Sequence, residues 1–273
     1  MKVCLLSYMF RRFPLEKAFE VCSELGYDGV EIWGGRPHAY PWDMDEKKID
    51  EILALKERYR LETPVYCAEV LNYPYNPCTT DPKERRETID YLKQALTAAS
   101  KFGAPRVLMA FDHAGFGTTR RQNQDNVVGV LKEVCAHAEK VGVDLMAEPV
   151  TIMESNVGAT ADDVAEIIER VGSPRLTSML DVATPFAHFE PYGEFLTKLK
   201  GKVSHVHFQD NDGVSPAHLP LGEGCLPLED LVDILKKYGY DGYLCVELLW
   251  PELRDPELYA RKTIRSLKAI LND

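Results

Sequence analysis

A chain of 273 residues, 45% hydrophobic and 27% charged, carries enough apolar material for a large core, which excludes a disordered polypeptide. Its formal charge of −11 argues against a nucleic-acid partner, because affinity for a phosphate backbone comes from clustered Lys and Arg, and here Arg11-Arg12, Arg85-Arg86 and Arg120-Arg121 are scattered. No run approaches the roughly 20 apolar residues needed to cross a bilayer, and MKVCLLSYMF is too short and strand-like for a secretory signal.

A cytoplasmic protein with no membrane partner is therefore expected. The seven cysteines are odd in number and lack a C-x-x-C pair, so buried, reduced thiols are the reading for Cys4, Cys67 and Cys245, which fall in predicted strands.

In chain order, short β-branched or apolar runs alternate with longer segments whose apolar residues recur three and four apart. Strand 3–7 precedes helix 14–25, strand 29–33 precedes helix 45–59, and strand 64–68 precedes helix 82–102. Strand 106–109 leads to helix 124–141, 144–147 to 161–171, 176–180 to 192–199, 203–208 to 228–238, and 243–246 to 256–271. Asp81 and Thr160 are N-cap candidates, Pro82 takes the favoured first helical position, and Gly26, Gly103, Gly142 and Gly239 sit where helices should stop.

Eight βα units of about 34 residues fit a closed (β/α)8 TIM barrel spanning residues 1–273 as a single domain. An internal echo supports the repeat: 26–33 reads GYDGVEIW and 239–250 reads GYDGYLCVELLW. The longest loops, 34–42, 69–80, 110–122, 149–159 and 210–227, all follow strands, and that is the face on which such barrels build their sites.

Four runs in the second half end at metal-binding side chains: LMA at Glu148, TSML at Asp181, SHV at His207 and LCV at Glu247. Three carboxylates and one imidazole suit a hard divalent cation such as Mn²⁺, Co²⁺, Ni²⁺ or Mg²⁺. Taken singly, each has a plainer reading: Asp181 as a turn cap, Glu148 paired with an Arg, His207 as a core histidine, Glu247 facing solvent. Four at successive strand ends favour a cation cage. His205 shares a face with His207, and the one nearer the rim is the ligand while the other orients its neighbours. No G-x-G-x-x-G is present, so no nucleotide cofactor is expected.

With these four residues, the chain resembles the sugar isomerase and epimerase superfamily of xylose-isomerase-like barrels, and within it most nearly the fructoselysine 3-epimerase group. The similar stretches run from end to end: SELGYDGVEIWGGRPHAY (23–40), NYPYN (72–76), HAGF (113–116), EPVTIMESNV (148–157), SPRLTSMLD (173–181), HVHFQDNDG (205–213), GEGCLPLEDL (222–231) and GYDGYLCVEL (239–248).

The resemblance implies a divalent metal, Mn²⁺ foremost, held by Glu148, Asp181, His207 and Glu247. It also implies that Glu148 and Glu247 move the proton, inverting C3 of a ketose or of a ketosamine like fructoselysine or psicoselysine through an enediolate. Glu154 matches a substrate-contacting glutamate of the ketohexose 3-epimerases, and His113, His218, Trp33 and Asn156 are further substrate candidates at the rim, along with Arg36, His38, Tyr73 and Tyr75.

Two positions depart from the ketohexose pattern: Thr184 stands where those enzymes have a substrate-binding His, and Gly213 where they have an Arg. Free ketohexoses are thus disfavoured as the main substrate, and the acidic composition leans toward a neutral or cationic one. An aldose-ketose isomerase with the same metal is the alternative. A repair nuclease on the same barrel is disfavoured by only seven histidines and the negative charge, and a silent sugar-binding subunit by retention of all four ligand types. A homo-oligomer, dimer or tetramer, is expected, with the loop of Tyr73 and Tyr75 as a candidate contact.

Overall fold

The computed structural model describes residues 1–249 and 254–272; Trp250, which closes the echo at 239–250, lies outside them. Eight parallel strands close on one another in chain order. They are β1 (Lys2–Leu6), β2 (Gly29–Trp33), β3 (Tyr66–Cys67), β4 (Arg106–Ala110), β5 (Asp144–Glu148), β6 (Leu176–Asp181), β7 (Val203–His207) and β8 (Tyr243–Val246). All five residues of β2 are buried, as expected where a parallel sheet is covered on its outer face by helices.

Those helices are α1 (Leu15–Leu25), α2 (Glu46–Tyr59), α3 (Pro82–Phe102), α4 (Arg120–Val141), α5 (Ala161–Val171), α6 (Ala183–Ala187), α7 (Tyr192–Lys198), α8 (Leu228–Lys237) and α9 (Pro256–Asn272). None is long and apolar enough to cross a membrane. The caps behave as their residue types dictate. Asp81 accepts from the Lys83 and Glu84 amides at 2.9 and 2.8 Å, with Pro82 beginning α3, and Thr160 forms a capping box with Asp163 at α5. Gly26, Gly103 and Gly142 end their helices in the left-handed region, whereas α8 is capped by Tyr238 and Gly239 follows one residue later.

Three departures from the predicted elements have local causes. α4 begins at Arg120 rather than 124 because Thr119 and Gln122 form a capping box ahead of the apolar repeat. β3 keeps only two residues, since Pro64 has no amide to donate, although Val65 still accepts from the Ile32 amide at 3.1 Å. α6 is a single short turn set by the Asp181 carboxylate, which accepts the Ala183 amide at 2.7 Å.

Successive strand side chains face opposite ways, so Met146 and Glu148, Met179 and Asp181, His205 and His207, and Cys245 and Glu247 all point into the barrel. Val65, Leu108, Met146 and Met179 pack together on one side of the interior, and Cys4, Leu6, Trp33 and Cys245 on the other. Each large apolar side chain buried there contributes roughly 2 kcal/mol. The register places Asp181 beside His207 and His207 beside Cys245, which brings the functional groups to one level at the C-terminal mouth.

Candidate active site

Glu148, Asp181, His207 and Glu247 are all buried, and one potential ligand atom from each lies within 4.8 Å of the others. His207 Nδ1 stands 3.1 Å from Glu148 Oε1 and 2.7 Å from Glu247 Oε2. His218, from the loop after β7, closes the ring: its Nδ1 is 3.1 Å from Glu247 Oε2 and its Nε2 3.5 Å from Asp181 Oδ2. Despite these short separations, His207 Nδ1, His218 Nδ1 and Glu247 Oε2 are all buried without an aligned hydrogen-bond partner. Buried polar atoms left unsatisfied are costly. Three of them around a set of carboxylate and imidazole donors fit a hard divalent cation, which would be bound by Glu148, Asp181, His207 and Glu247.

The orientation of these groups is fixed from behind. Glu31, fully buried in β2, lies 3.2 Å from His207 Nε2 and 2.7 Å from His205 Nε2. With Nε2 committed to Glu31, Nδ1 of His207 is the nitrogen turned to the carboxylates, the arrangement by which a carboxylate sets a ligand imidazole. Gln209 donates to Asp181 Oδ1 at 2.7 Å and so aims the other oxygen at His218. Neither Glu31 nor Gln209 was assigned a role from the sequence. A carboxylate amid the apolar GVEIW strand was the available signal for the first; the second had none.

A second group lies one layer deeper, where ligand atoms of Cys4, Glu31, His205 and Cys245 also fall within 4.8 Å of one another. Here Glu31 is already hydrogen-bonded by His205, and burial pushes both thiols up, so they remain protonated packing groups.

Electrostatics separates the two glutamates. Burial pushes Glu148 up to about 8, only partly offset by His207. Glu247 is also penalised by burial, but His207 and His218 outweigh that and hold it well below the usual carboxylate range. Burial opposes charge on His207 too, yet Glu247, Glu31 and Glu148 raise it well above an ordinary histidine, and Glu247 and Asp181 bring His218 to about 9. Burial raises Asp181. Against the cost of burial, His207 and His205 draw Glu31 down to about 2, while His205 itself is lowered chiefly by burial.

Among the expected substrate contacts, Trp33 lines a cavity with Glu148 and Glu247. Gly35 makes room for it: a Cβ there would lie 2.1 Å from the indole. Glu154 accepts from the Thr151 hydroxyl and amide at 2.8 and 3.1 Å, close enough to feel the charges of His218 and Asp181. Asn156 and His113 belong to a loop clamp. Asn156 accepts from the Ala114 amide at 2.9 Å and donates to the Gly115 carbonyl at 3.0 Å, while His113 Nδ1 accepts from the Gly115 amide at 2.9 Å.

His38 is not a rim residue: it is buried, with Nδ1 3.1 Å from the Ser7 hydroxyl and Nε2 3.0 Å from the Phe10 carbonyl. Tyr75 is likewise buried and stacked on Tyr91, Tyr73 stacks on Tyr40, and Arg36 pairs with Asp43, so these side chains brace the loop after β2. Thr184 is buried against the Pro149 carbonyl at 3.2 Å, and Gly213 takes φ +82° with Phe186 packed beside it.

Comparison with known proteins agrees with this architecture. Residues 19–270 match the family model described as xylose isomerase-like TIM barrel. The chain is 40% identical over 271 residues to fructoselysine 3-epimerase of Escherichia coli O157:H7, covering 99% of this chain and 98% of that one. Among solved structures it resembles a D-tagatose 3-epimerase-like protein, with a TM-score of 0.87 at 24% identity over 100% of this chain and 97% of that one. It also resembles D-psicose 3-epimerase from Clostridium cellulolyticum H10, with a TM-score of 0.84 at 17% identity over 100% and 99%. The chain is therefore an enzyme of the xylose isomerase-like TIM barrel family.

Proposed function

We propose that the enzyme is a divalent-metal-dependent 3-epimerase acting on a ketose or ketosamine, with fructoselysine-like compounds as the leading substrates. The observation that carries this reading is the pair Glu148 and Glu247: two carboxyls from the ends of separate strands, both against His207 Nδ1, with opposite proton affinities at one cavity. The 40% identity to a fructoselysine 3-epimerase supports the substrate class.

Inversion at C3 needs a base on one face of the carbon and an acid on the other. Glu247, kept ionised by the two imidazoles, is suited to take the C3 proton, and Glu148, favoured in its protonated form by burial, is suited to deliver one to the opposite face. In the reverse direction the roles exchange. When bound by Glu148, Asp181, His207 and Glu247, a divalent cation, with Mn²⁺ the leading candidate, would polarise the C2 carbonyl and offset negative charge developing on the substrate oxygens. Asp181 and Glu31 hold the site in register through Gln209 and His207.

The test is to load the protein with Mn²⁺, supply a fructosyl-amine, and identify products by NMR. A C3 epimer that forms with metal and not after chelation is expected. An aldose-type product in its place would favour the isomerase reading.

A further inference from the structure

The cavity that Glu148 and Glu247 border contains a third carboxylate, Glu69, on the loop after β3; other walls come from Leu6, Tyr8, Trp33 and Leu71. Among the described residues no Lys or Arg lines it. Glu148 and Glu247 serve the metal cage, but the charge on Glu69 has no such use. Its carboxylate accepts from the Trp33 indole N–H at 2.8 Å, the Asn72 amide at 3.1 Å and the Asn72 side chain at 3.1 Å. These are neutral donors: they fix the carboxylate in place without cancelling its charge, and among the described residues no basic side chain forms a salt bridge with it. Arg11 packs over the Tyr8 ring, 4.5 Å from its centroid, without lining the cavity.

A fixed carboxylate beside aromatic walls is the chemistry that recognises a protonated amine. Trp33 and Tyr8 meet edge to face at 5.1 Å, giving that wall a settled shape. A phosphate at this wall would face the Glu69 carboxylate and, among the described lining residues, no base, so the wall works against phosphorylated sugars. We infer that Glu69 is the counter-ion of an ammonium subsite that takes the protonated secondary amine attached to C1 of a ketosamine, and so selects ketosamines over free or phosphorylated ketoses. This rests on the 3-epimerase reading above, in which C2 and C3 lie at the metal cage and the C1 substituent reaches the adjoining wall. Free ketoses present only a neutral hydroxyl there.

The test compares wild type with Glu69→Gln, which keeps an acceptor for the Trp33 indole and removes only the charge. In Mn²⁺-loaded enzyme the ratio of kcat/KM for a fructosyl-amine to that for free fructose should fall tenfold or more in the variant, through KM. A second readout avoids turnover: calorimetric affinity for a 1-amino-1-deoxy-alditol, which is cationic but has no carbonyl, against the neutral alditol. Wild type should prefer the cationic compound tenfold or more, and Glu69→Gln should lose that preference. Equal preference in the two proteins overturns the subsite. Lack of C3 epimerisation by wild type on every sugar overturns the 3-epimerase reading instead, and the alditol comparison separates the two failures.

Discussion

Two quartets of metal-ligand side chains stand one above the other in this barrel, and they differ in what they leave unmet. The upper one, Glu148, Asp181, His207 and Glu247, adjoins a cavity and holds unpaired buried atoms on His207 and Glu247, with a third on His218 beside them. In the lower one, Cys4, Glu31, His205 and Cys245, the carboxylate is bonded to an imidazole and the thiols are protonated within the core. Ligand-type residues and proximity are thus common to both. What sets the upper quartet apart is its unsatisfied polar atoms beside a cavity.

The sharpest way to break this contrast is to remove one proton carrier. Glu148→Gln or Glu247→Gln should lower C3 proton exchange by about 10³-fold, as general acid-base groups do, and full exchange in either variant would dissolve the two-carboxylate scheme. Next is the support behind the ligand: Glu31→Gln should weaken Mn²⁺ binding by roughly 10- to 100-fold in a calorimetric titration. His205→Asn, one step further from the ion, should weaken it less, and an effect as large as that of Glu31→Gln would put His205 among the ligands.

Protonation offers a subtler comparison. His207, well above its ordinary range, holds a proton at neutral pH, and a cation must displace it from the nitrogen turned to the carboxylates. Affinity should therefore rise with pH from 6 to 8, and titrations in buffers of different ionisation enthalpy should count at least one proton released per cation at pH 7. The smallest expected effect is at the lower quartet. Cys4→Ala should leave one bound divalent ion per chain, measured by elemental analysis after dialysis, and a drop in stoichiometry would make the deeper group a metal site.

Much of this was legible in the chain because strand side chains alternate and barrel strands end at one mouth. That logic placed Glu148, Asp181, His207 and Glu247 together, and cap residues such as Asp81 and Gly103 marked the helices between them. What escaped has a common cause: it depends on which groups meet across the barrel. Glu31 contacts His207 from a strand 176 positions earlier. Glu69 gains meaning only from the cavity it shares with Glu148. His38 reads as a rim histidine from its loop, yet backbone carbonyls at Phe10 and Phe13 bury and satisfy it. Periodicity reports which face a residue takes, not what stands opposite.

Where the proton moves is decided by incubating the Mn²⁺-loaded enzyme with a fructosyl-amine in heavy water and locating the label by NMR. Deuterium at C3 of both the substrate and its epimer, with C1 unlabelled, is the expected result. Deuterium confined to C1 or C2, with C3 still protonated, would contradict the assignment of Glu148 and Glu247 to the two faces of C3.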